Sequence, residues 1–579
     1  MKKFTFLLSL LLAFVGVTAS AQGFKISDAP NGENWATNTQ WYLIKTAATD
    51  EWHPTAGYLS TDAAYISNTD IRTDIATLPT NDNGLWCIVG NESSGYKIYN
   101  KAEGTSKVLG FSAASSFARM YETSAEGVTS DFDLASSTYA TTPWAGCVKK
   151  HGTNAWLNNA NKNQNRNLCC LGTWENSAST TALLGNAFYF IPVNNVEEAS
   201  TAVETFMKGQ EHFMTMNRYK VIPGVSDACS SEDAAYTKNP SDETFNSFID
   251  AAKKHLAKTY FTITNCRTNY SLRVLSANTT NATALSVDEK KSNASALWQF
   301  VPIESGFKLY NANAKAYLGA LVGTNSNTSM NADLEQGSLY SISVNTSGTV
   351  DGFVLRDGNG RMNLEGDGRV DAWEGQSGFY NQVTWAIDPA TEIEVALNTL
   401  GSKSYATTYL PFGVSAVKDA KAYSAATPAD GQTVMTEVTS FAKENGILLV
   451  SDNAAAKAVL TIGDVEGAAS SSALQGTLLA KDITDAQTKY LVFGKNKAAE
   501  TEVGFFEPTA TTIPANRAFF MDTTGSSIAL NFGNVTAINN VATDNVNANA
   551  PIFDLSGRRV VKAVKGGLYI QNGKKYIVK

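Results

Sequence analysis

A chain of 579 residues with a formal charge of −8 and only 17% charged residues has no basic surplus to grip phosphates, so nucleic acid is excluded as the expected partner. Six cysteines are too few to staple a chain of this length, which excludes a disulfide scaffold. The abundance of Gly, Ser, Thr, Asn and aromatic residues favours β-sheets joined by polar turns over helical bundles.

Residues 1–21 read as a signal peptide. Lys2 and Lys3 precede an apolar run from Phe4 to Val17, and Ala19-Ser20-Ala21 forms a small-residue cleavage site before Gln22. No Cys follows that site, which argues against a lipid anchor there. No later run reaches the ~18 apolar residues of a membrane helix, so no transmembrane segment is expected. The remainder suffices for roughly three to five domains.

Residues 39–193 and 260–389 read as two related β modules. An aromatic-x-aliphatic triplet recurs in each at roughly 40–60-residue intervals. In the first it is Trp86-Cys87-Ile88, Phe132-Asp133-Leu134 and Tyr189-Phe190-Ile191; in the second, Trp298-Gln299-Phe300, Tyr340-Ser341-Ile342 and Trp385-Ala386-Ile387. A strand sets residues i and i+2 on one face, so each triplet buries two side chains together, and Trp86, Trp298 and Trp385 are assigned to core. Gly95-Tyr96-Lys97-Ile98-Tyr99-Asn100 reappears as Gly306-Phe307-Lys308-Leu309-Tyr310-Asn311, and Val108-Leu109-Gly110 as Tyr317-Leu318-Gly319, which marks a duplication. Cys87 reads as a small buried hydrophobe, and one bridge among Cys147, Cys169 and Cys170 is open.

Between the modules, residues 194–258 read as a helical hairpin. Ala199, Val203, Phe206, Met207, Gln210 and Phe213 form one stripe, and Phe245, Phe248, Ile249, Ala252 and Leu256 a second. Asn239-Pro240-Ser241-Asp242 reads as an N-cap at Asn239 followed by Pro at N1. Residues 390–545 alternate as a β-sandwich, with runs such as Lys489-Tyr490-Leu491-Val492-Phe493 and Val503-Gly504-Phe505-Phe506; no chemistry is visible there and the expected role is a spacer or stalk. Residues 546–579 give a strand, a Gly turn and a hairpin whose Asn572-Gly573 pair suits a type I′ turn.

The paired modules resemble the β-trefoil of ricin-B-like lectins, whose repeats carry a Tyr/Phe-x-Ile-x-Asn strand, a short Leu strand and a closing Gln-x-Trp-x-Phe strand. The closing matches are Leu297-Trp298-Gln299-Phe300 and Gln382-Val383-Thr384-Trp385-Ala386-Ile387, in which Gln382 lies three residues before its Trp instead of two. The resemblance covers roughly half the chain and implies a carbohydrate-binding fold. The segment from Tyr405 to Phe412 and that from Ile513 to Phe520 resemble a sandwich module of exported Bacteroidetes proteins. The tail resembles the C-terminal sorting signal of type IX secretion clients, which implies the outer-membrane export machinery as a partner and a secreted or cell-surface location.

The four histidines, His53, His151, His212 and His255, share no motif, and no nucleophile, metal or phosphate-loop signature is present, so neither catalytic residues, metal nor cofactor is expected. The polar segment Asp351–Gly378 leaves three readings open: a calcium loop, a sugar site or plain hairpin turns. Sugar binding needs an aromatic face for the pyranose C–H side and Asp or Asn for its hydroxyls. Asp371 and Trp373, with Asn359, meet that need in the second module; Trp156, Asn158 and Trp174 offer the same chemistry in the first. The competing reading is that each Trp fills or caps a barrel. The expectation is therefore an exported, non-enzymatic, mainly β protein: two β-trefoil-like domains joined by a helical hairpin, then a β-sandwich and a short hairpin tail, binding carbohydrate through sites that gain by avidity. The alternatives are a structural or adhesive protein with protein-binding trefoils, and an unrecognised glycan hydrolase.

Overall fold

The structure, a computed structural model, describes residues 39–47, 57–61, 71–75, 77–113, 117–137, 144–160, 170–175, 184–323, 326–345, 350–373, 380–454, 456–465, 472–484, 488–496, 502–521, 525–532, 551–571 and 574–577. The predicted signal peptide, His53, Cys169 and the Asn572-Gly573 turn lie outside them. Contacts divide the chain into two compact units, one running to Tyr219 and including Ala234–Phe248, the other comprising Lys220–Asp233 and Ile249 onward.

The first unit holds β1 (Trp41–Thr46), β2 (Tyr58–Ser60), β3 (Arg72–Ile75), β4 (Trp86–Asn91), β5 (Gly95–Asn100), β6 (Lys107–Ser112), β7 (Arg119–Glu122), β8 (Val128–Thr129), β9 (Phe132–Ser136), β10 (Gly146–Lys150), β11 (Ala155–Ala160), β12 (Cys170–Glu175) and β13 (Phe188–Val193). Strands β1, β4, β5, β9, β10 and β13 pair in that order, and β13 returns to β1. The ring is closed, so no barrel edge is left open for pairing. The pairs β2–β3, β6–β7 and β11–β12 leave it as hairpins. A closed ring carrying three hairpins is the β-trefoil arrangement.

Four helices follow: α1 (Ala199–Lys220), α2 (Val225–Ala228), α3 (Ser230–Lys238) and α4 (Asp242–Lys258). The two predicted stripes lie on α1 and α4, with the shorter pair between them in sequence. The α4 cap is Ser241, two residues later than expected: its Oγ accepts from Thr244 N at 3.3 Å while its own N donates to Thr244 Oγ1 at 3.2 Å. In the first unit, Phe206 of α1 packs on Tyr189 and on Trp144, with ring centroids 5.6 Å apart in both pairs. Gly209 permits this, since a Cβ there would stand 3.0 Å from the Trp144 ring.

The second unit repeats the ring with β14 (Tyr260–Asn265), β15 (Leu272–Ala277), β16 (Ala282–Ser286), β17 (Leu297–Ile303), β18 (Gly306–Asn311), β19 (Ala316–Leu318), β20 (Met330–Asn331), β21 (Ser341–Val344), β22 (Phe353–Asp357), β23 (Gly360–Leu364), β24 (Val370–Trp373) and β25 (Trp385–Ala390). Here β14, β17, β18, β21, β22 and β25 close on one another, the β18–β21 link being the Phe307–Tyr340 bridge. Hairpins β15–β16, β19–β20 and β23–β24 leave this ring.

Trp298, Tyr340 and Trp385 are fully buried, as are Trp86 and Phe132. The third member of the first ring is Phe188 and not Tyr189. Phe188 and Phe190 join the barrel cluster with Trp86, Ile88 and Phe132, while Tyr189 and Ile191 pack outward with Ala199 and Phe206. Because α1 covers the outer face of β13, both alternating sets are apolar, and periodicity alone cannot choose between them.

Two hydrogen bonds explain why the repeats keep Trp and Asn. Trp86 Nε1 donates to Leu59 O at 3.0 Å, Trp298 Nε1 to Leu275 O at 2.9 Å and Trp385 Nε1 to Met362 O at 3.0 Å; Tyr340 OH does the same to Gly319 O at 2.6 Å. Each ties a ring strand to a hairpin. Opposite each Trp in register stands a buried Asn: Asn100, Asn311 and Asn265. Their Nδ2 groups donate at 2.8 Å to the carbonyl three residues before the Trp, at Asn83, Ser295 and Gln382. Buried polar groups persist where they are satisfied, and these are.

Beyond the barrel, Glu392–Ala396, Lys457–Ile462 and Val414–Lys418 form a three-stranded sheet, and a ten-stranded sheet runs from Asn398–Leu400 to Gln475–Thr477. The alternating runs are paired strands, Tyr490–Lys495 with Val503–Phe506. The tail forms a separate four-stranded sheet from Ile552–Phe553 to Lys574–Ile577. No helix among the described residues is long and apolar enough to cross a membrane.

Candidate functional site

The β23–β24 hairpin gathers the polar chemistry of the second barrel. Its turn forms because Asp367 accepts from Arg369 N at 3.2 Å and pairs with Arg369 Nε at 2.7 Å, with Gly368 at φ 89°. The backbone bonds to Asp367, then the Arg369 guanidinium, hold its carboxyl below the usual carboxylate range. The register sets Asn363 opposite Asp371 and Arg361 opposite Trp373. With side chains alternating along each strand, these four share one face, and Met362, Leu364 and Val370 fill the core.

At the base of that face Asn363 and Asp371 are fully buried. Asn363 Nδ2 donates to Asp371 Oδ1 at 2.8 Å and to Glu365 Oε1 at 3.0 Å, so one amide bridges two carboxylates. Among the described residues, Asp371 Oδ2 and Asn363 Oδ1 have no hydrogen-bond partner. Burial pushes the Asp371 carboxyl up from its usual value; the Asn363 hydrogen bond opposes that, and the Glu365 charge adds to it. Arg361, Glu365 and Trp373 are half-buried. The face thus offers an indole, a guanidinium donor and a carboxylate acceptor above a buried amide–carboxyl pair.

Asn359 lies two residues before Arg361 at the β22–β23 turn. Its N donates to Asp357 Oδ1 at 2.8 Å and its Nδ2 to Leu321 O at 2.8 Å. Asp357 Oδ2 accepts from Leu321 N at 2.8 Å and from Ser338 Oγ at 3.1 Å. These oxygens serve turns, and among the described residues no three His, Cys, Asp or Glu side chains converge as metal ligands.

In the first barrel, the corresponding hairpin β11–β12 sets Trp156 opposite Trp174 and Asn158 opposite Gly172. Trp156 is 9% exposed, with Lys149 Nζ 5.7 Å from its ring centroid. Asn158 Nδ2 donates to Asn186 Oδ1 at 2.8 Å. The Trp174 side chain lies outside the described residues. The two hairpins share an Asn, but Gly172 stands where the second has Asp371. Sequence reasoning singled out Asp371 and Trp373 as candidates within the Asp351–Gly378 segment but not Arg361, Asn363 or Glu365, which the hairpin brings to the same face. Their two-residue spacing along the strand leading into the Gly366–Gly368 turn was the signal that could have found them.

The described histidines sit on separate elements. His151 Nδ1 lies 2.5 Å from Asp133 Oδ1. His212 stacks on Phe245 with centroids 3.8 Å apart, and burial pulls its pKa down. His255 Nε2 is 3.4 Å from Thr259 Oγ1, its pKa likewise lowered by burial. Cys147 and Cys170 are buried in β10 and β12.

No protein-family model matches this sequence, and no curated protein matches it. Among solved structures, the chain is similar to a mosquitocidal holotoxin at 10% identity and TM-score 0.25, over 83% of this chain and 51% of that one. It therefore spans about half the length of that toxin. It is also similar to the Macrolepiota procera ricin B-like lectin in complex with lactose, at 17% identity and TM-score 0.19, over 23% of this chain and 96% of the lectin. A third similarity is to the Polyporus squamosus lectin bound to a human-type influenza-binding epitope, at 12% identity and TM-score 0.20, over 49% of this chain and 95% of that one.

Proposed function

We propose that this chain is an exported, non-catalytic carbohydrate-binding protein whose sugar site is the β23–β24 face of the second barrel. The observation that carries the reading is the register: Arg361 opposite Trp373 and Asn363 opposite Asp371 on one face, with Glu365 tethered to Asn363. An indole stacks on the C–H side of a pyranose, while a guanidinium and a carboxylate satisfy its hydroxyls from the donor and acceptor sides. The buried pair beneath sets the Glu365 carboxylate in place, so less ordering is left for the ligand to impose. In this reading the leader directs export, and the tail engages the type IX machinery and delivers the protein to the cell surface or medium.

The first barrel fits the structural or adhesive alternative better. Trp156 is buried, and Gly172 supplies no oxygen where Asp371 does. Its expected role is a scaffold or protein contact.

A glycan array probed with the purified full chain tests this. Retention of at least one glycan class is expected, lost by about tenfold or more in Trp373→Ala and kept in Trp156→Ala. A blank array with folded wild type, or equal retention by Trp373→Ala, sinks the assignment. Release of free sugar from any arrayed glycan would replace it with the hydrolase alternative.

A further inference from the structure

The sandwich, in which the sequence shows no chemistry, contains a cavity of about 290 Å³. Tyr405, Phe493, Pro508, Ile513 and Pro514 give it an apolar wall, and Arg517 lies in its lining. Arg517 is firmly placed. Asn516 before it takes a left-handed φ of 57° and donates to Tyr409 O at 3.1 Å; Ala518 N after it donates to Thr407 Oγ1 at 3.2 Å. Arg517 Nη1 itself donates to Thr407 O at 3.0 Å.

That carbonyl engages one of the five N–H donors of a guanidinium. Among the described residues no carboxylate pairs with Arg517, and burial alone moves its pKa, downward. A partly desolvated cation of this kind is costly unless an anion meets it. The surroundings select which anion. A guanidinium fork matches a planar carboxylate through two parallel hydrogen bonds. A phosphate dianion would need further cations or N–H donors, and among the described residues Arg517 is the lining's one cationic side chain. The volume sits at the small end of the range for ligand pockets.

We propose that this cavity binds a small carboxylate carried on a flat apolar body, the carboxylate pairing with Arg517 and the body lying against the aromatic and proline wall. The site is independent of the sugar reading and concerns a different fold region. It gives the sandwich a ligand in place of a spacer role.

Isothermal titration of the full chain with sodium benzoate, benzyl alcohol and inorganic phosphate tests it. Benzoate is expected to bind with one site, and the neutral alcohol and phosphate at least about tenfold more weakly. Arg517→Met should lose at least about tenfold in benzoate affinity while Arg517→Lys loses less. Asn398→Asp, at an exposed position of the lining, guards against a folding defect in the Met variant: it brings a competing carboxylate and should also weaken benzoate. The proposal is overturned by a folded wild type that does not bind benzoate, by phosphate binding as tightly as benzoate, or by benzoate affinity unchanged in Arg517→Met or Asn398→Asp.

Discussion

Asp371 carries an electrostatic cost that a single atom can remove. Its carboxyl is fully buried, and among the described residues neither its Oδ2 nor the Asn363 Oδ1 has a hydrogen-bond partner. The folded pKa is raised by burial, so folding penalises the charged form relative to the unfolded chain. Its stabilising contribution is therefore complete below the unfolded value near 3.8 and lost as pH rises through the folded value. Asp371→Asn stays neutral throughout and can form a reciprocal amide pair with Asn363. It should be more stable than wild type at pH 7 by about 1 kcal/mol, since unsatisfied buried groups cost about 1–3 kcal/mol. The gap should close below pH 4. Melting curves from pH 3 to 8 check this, and a gap that widens toward acid would refute the account. Asp371 and Trp373 were legible in the sequence because an acid and an aromatic two residues apart stand out. Asn363 and Glu365 were not, because their meaning depends on which residue faces them across the hairpin.

At the scale of elements, the link from a ring-strand aromatic to a hairpin carbonyl sets local stability. Trp298→Phe keeps most of the buried ring but deletes the donor to Leu275 O. Losing the bond and leaving that carbonyl unmet should cost about 2 kcal/mol, read as a lower urea midpoint at unchanged slope. A loss below a few tenths of that would mean the indole N–H contributes nothing. The triplets Trp86-Cys87-Ile88, Trp298-Gln299-Phe300 and Trp385-Ala386-Ile387 were readable because one face of each strand dominates. Strand β13 was misread by one residue because α1 buries its second face, where Tyr189 and Ile191 meet Phe206. The α4 cap slid from Asn239 to Ser241 for a related reason: both residue types cap, and only Thr244 as partner decides between them.

Across the molecule, the repeated aromatic-x-x-x-Asn signals, Tyr96 to Asn100 and Phe307 to Asn311, and the Trp signals reveal the duplication, because Asn100, Asn265 and Asn311 each stand opposite a Trp that the repeat must retain. The Arg517 cavity was invisible to such reading, since its lining combines residues from Asn398 to Ala518 that no repeat or motif connects. The two barrels should also differ in cooperativity. Deuterium uptake at native pH should be slow in β15, β19 and β23 alike, but faster in β6 and β11 than in β2. Uniform protection across β2, β6 and β11 would count against the link as the source of hairpin stability.

The contrast arises because Phe132 and Phe188 occupy ring positions where the second barrel has Tyr340 and Trp385, and a phenyl group has nothing to donate. Two corners of the first barrel consequently lack the hydrogen bond from a ring aromatic to its hairpin, although the β11–β12 corner keeps the Asn158–Asn186 bond. Inserted or exchanged segments at those corners break no hydrogen bond from a ring aromatic, so they are the natural places for grafted loops and for divergence between related chains.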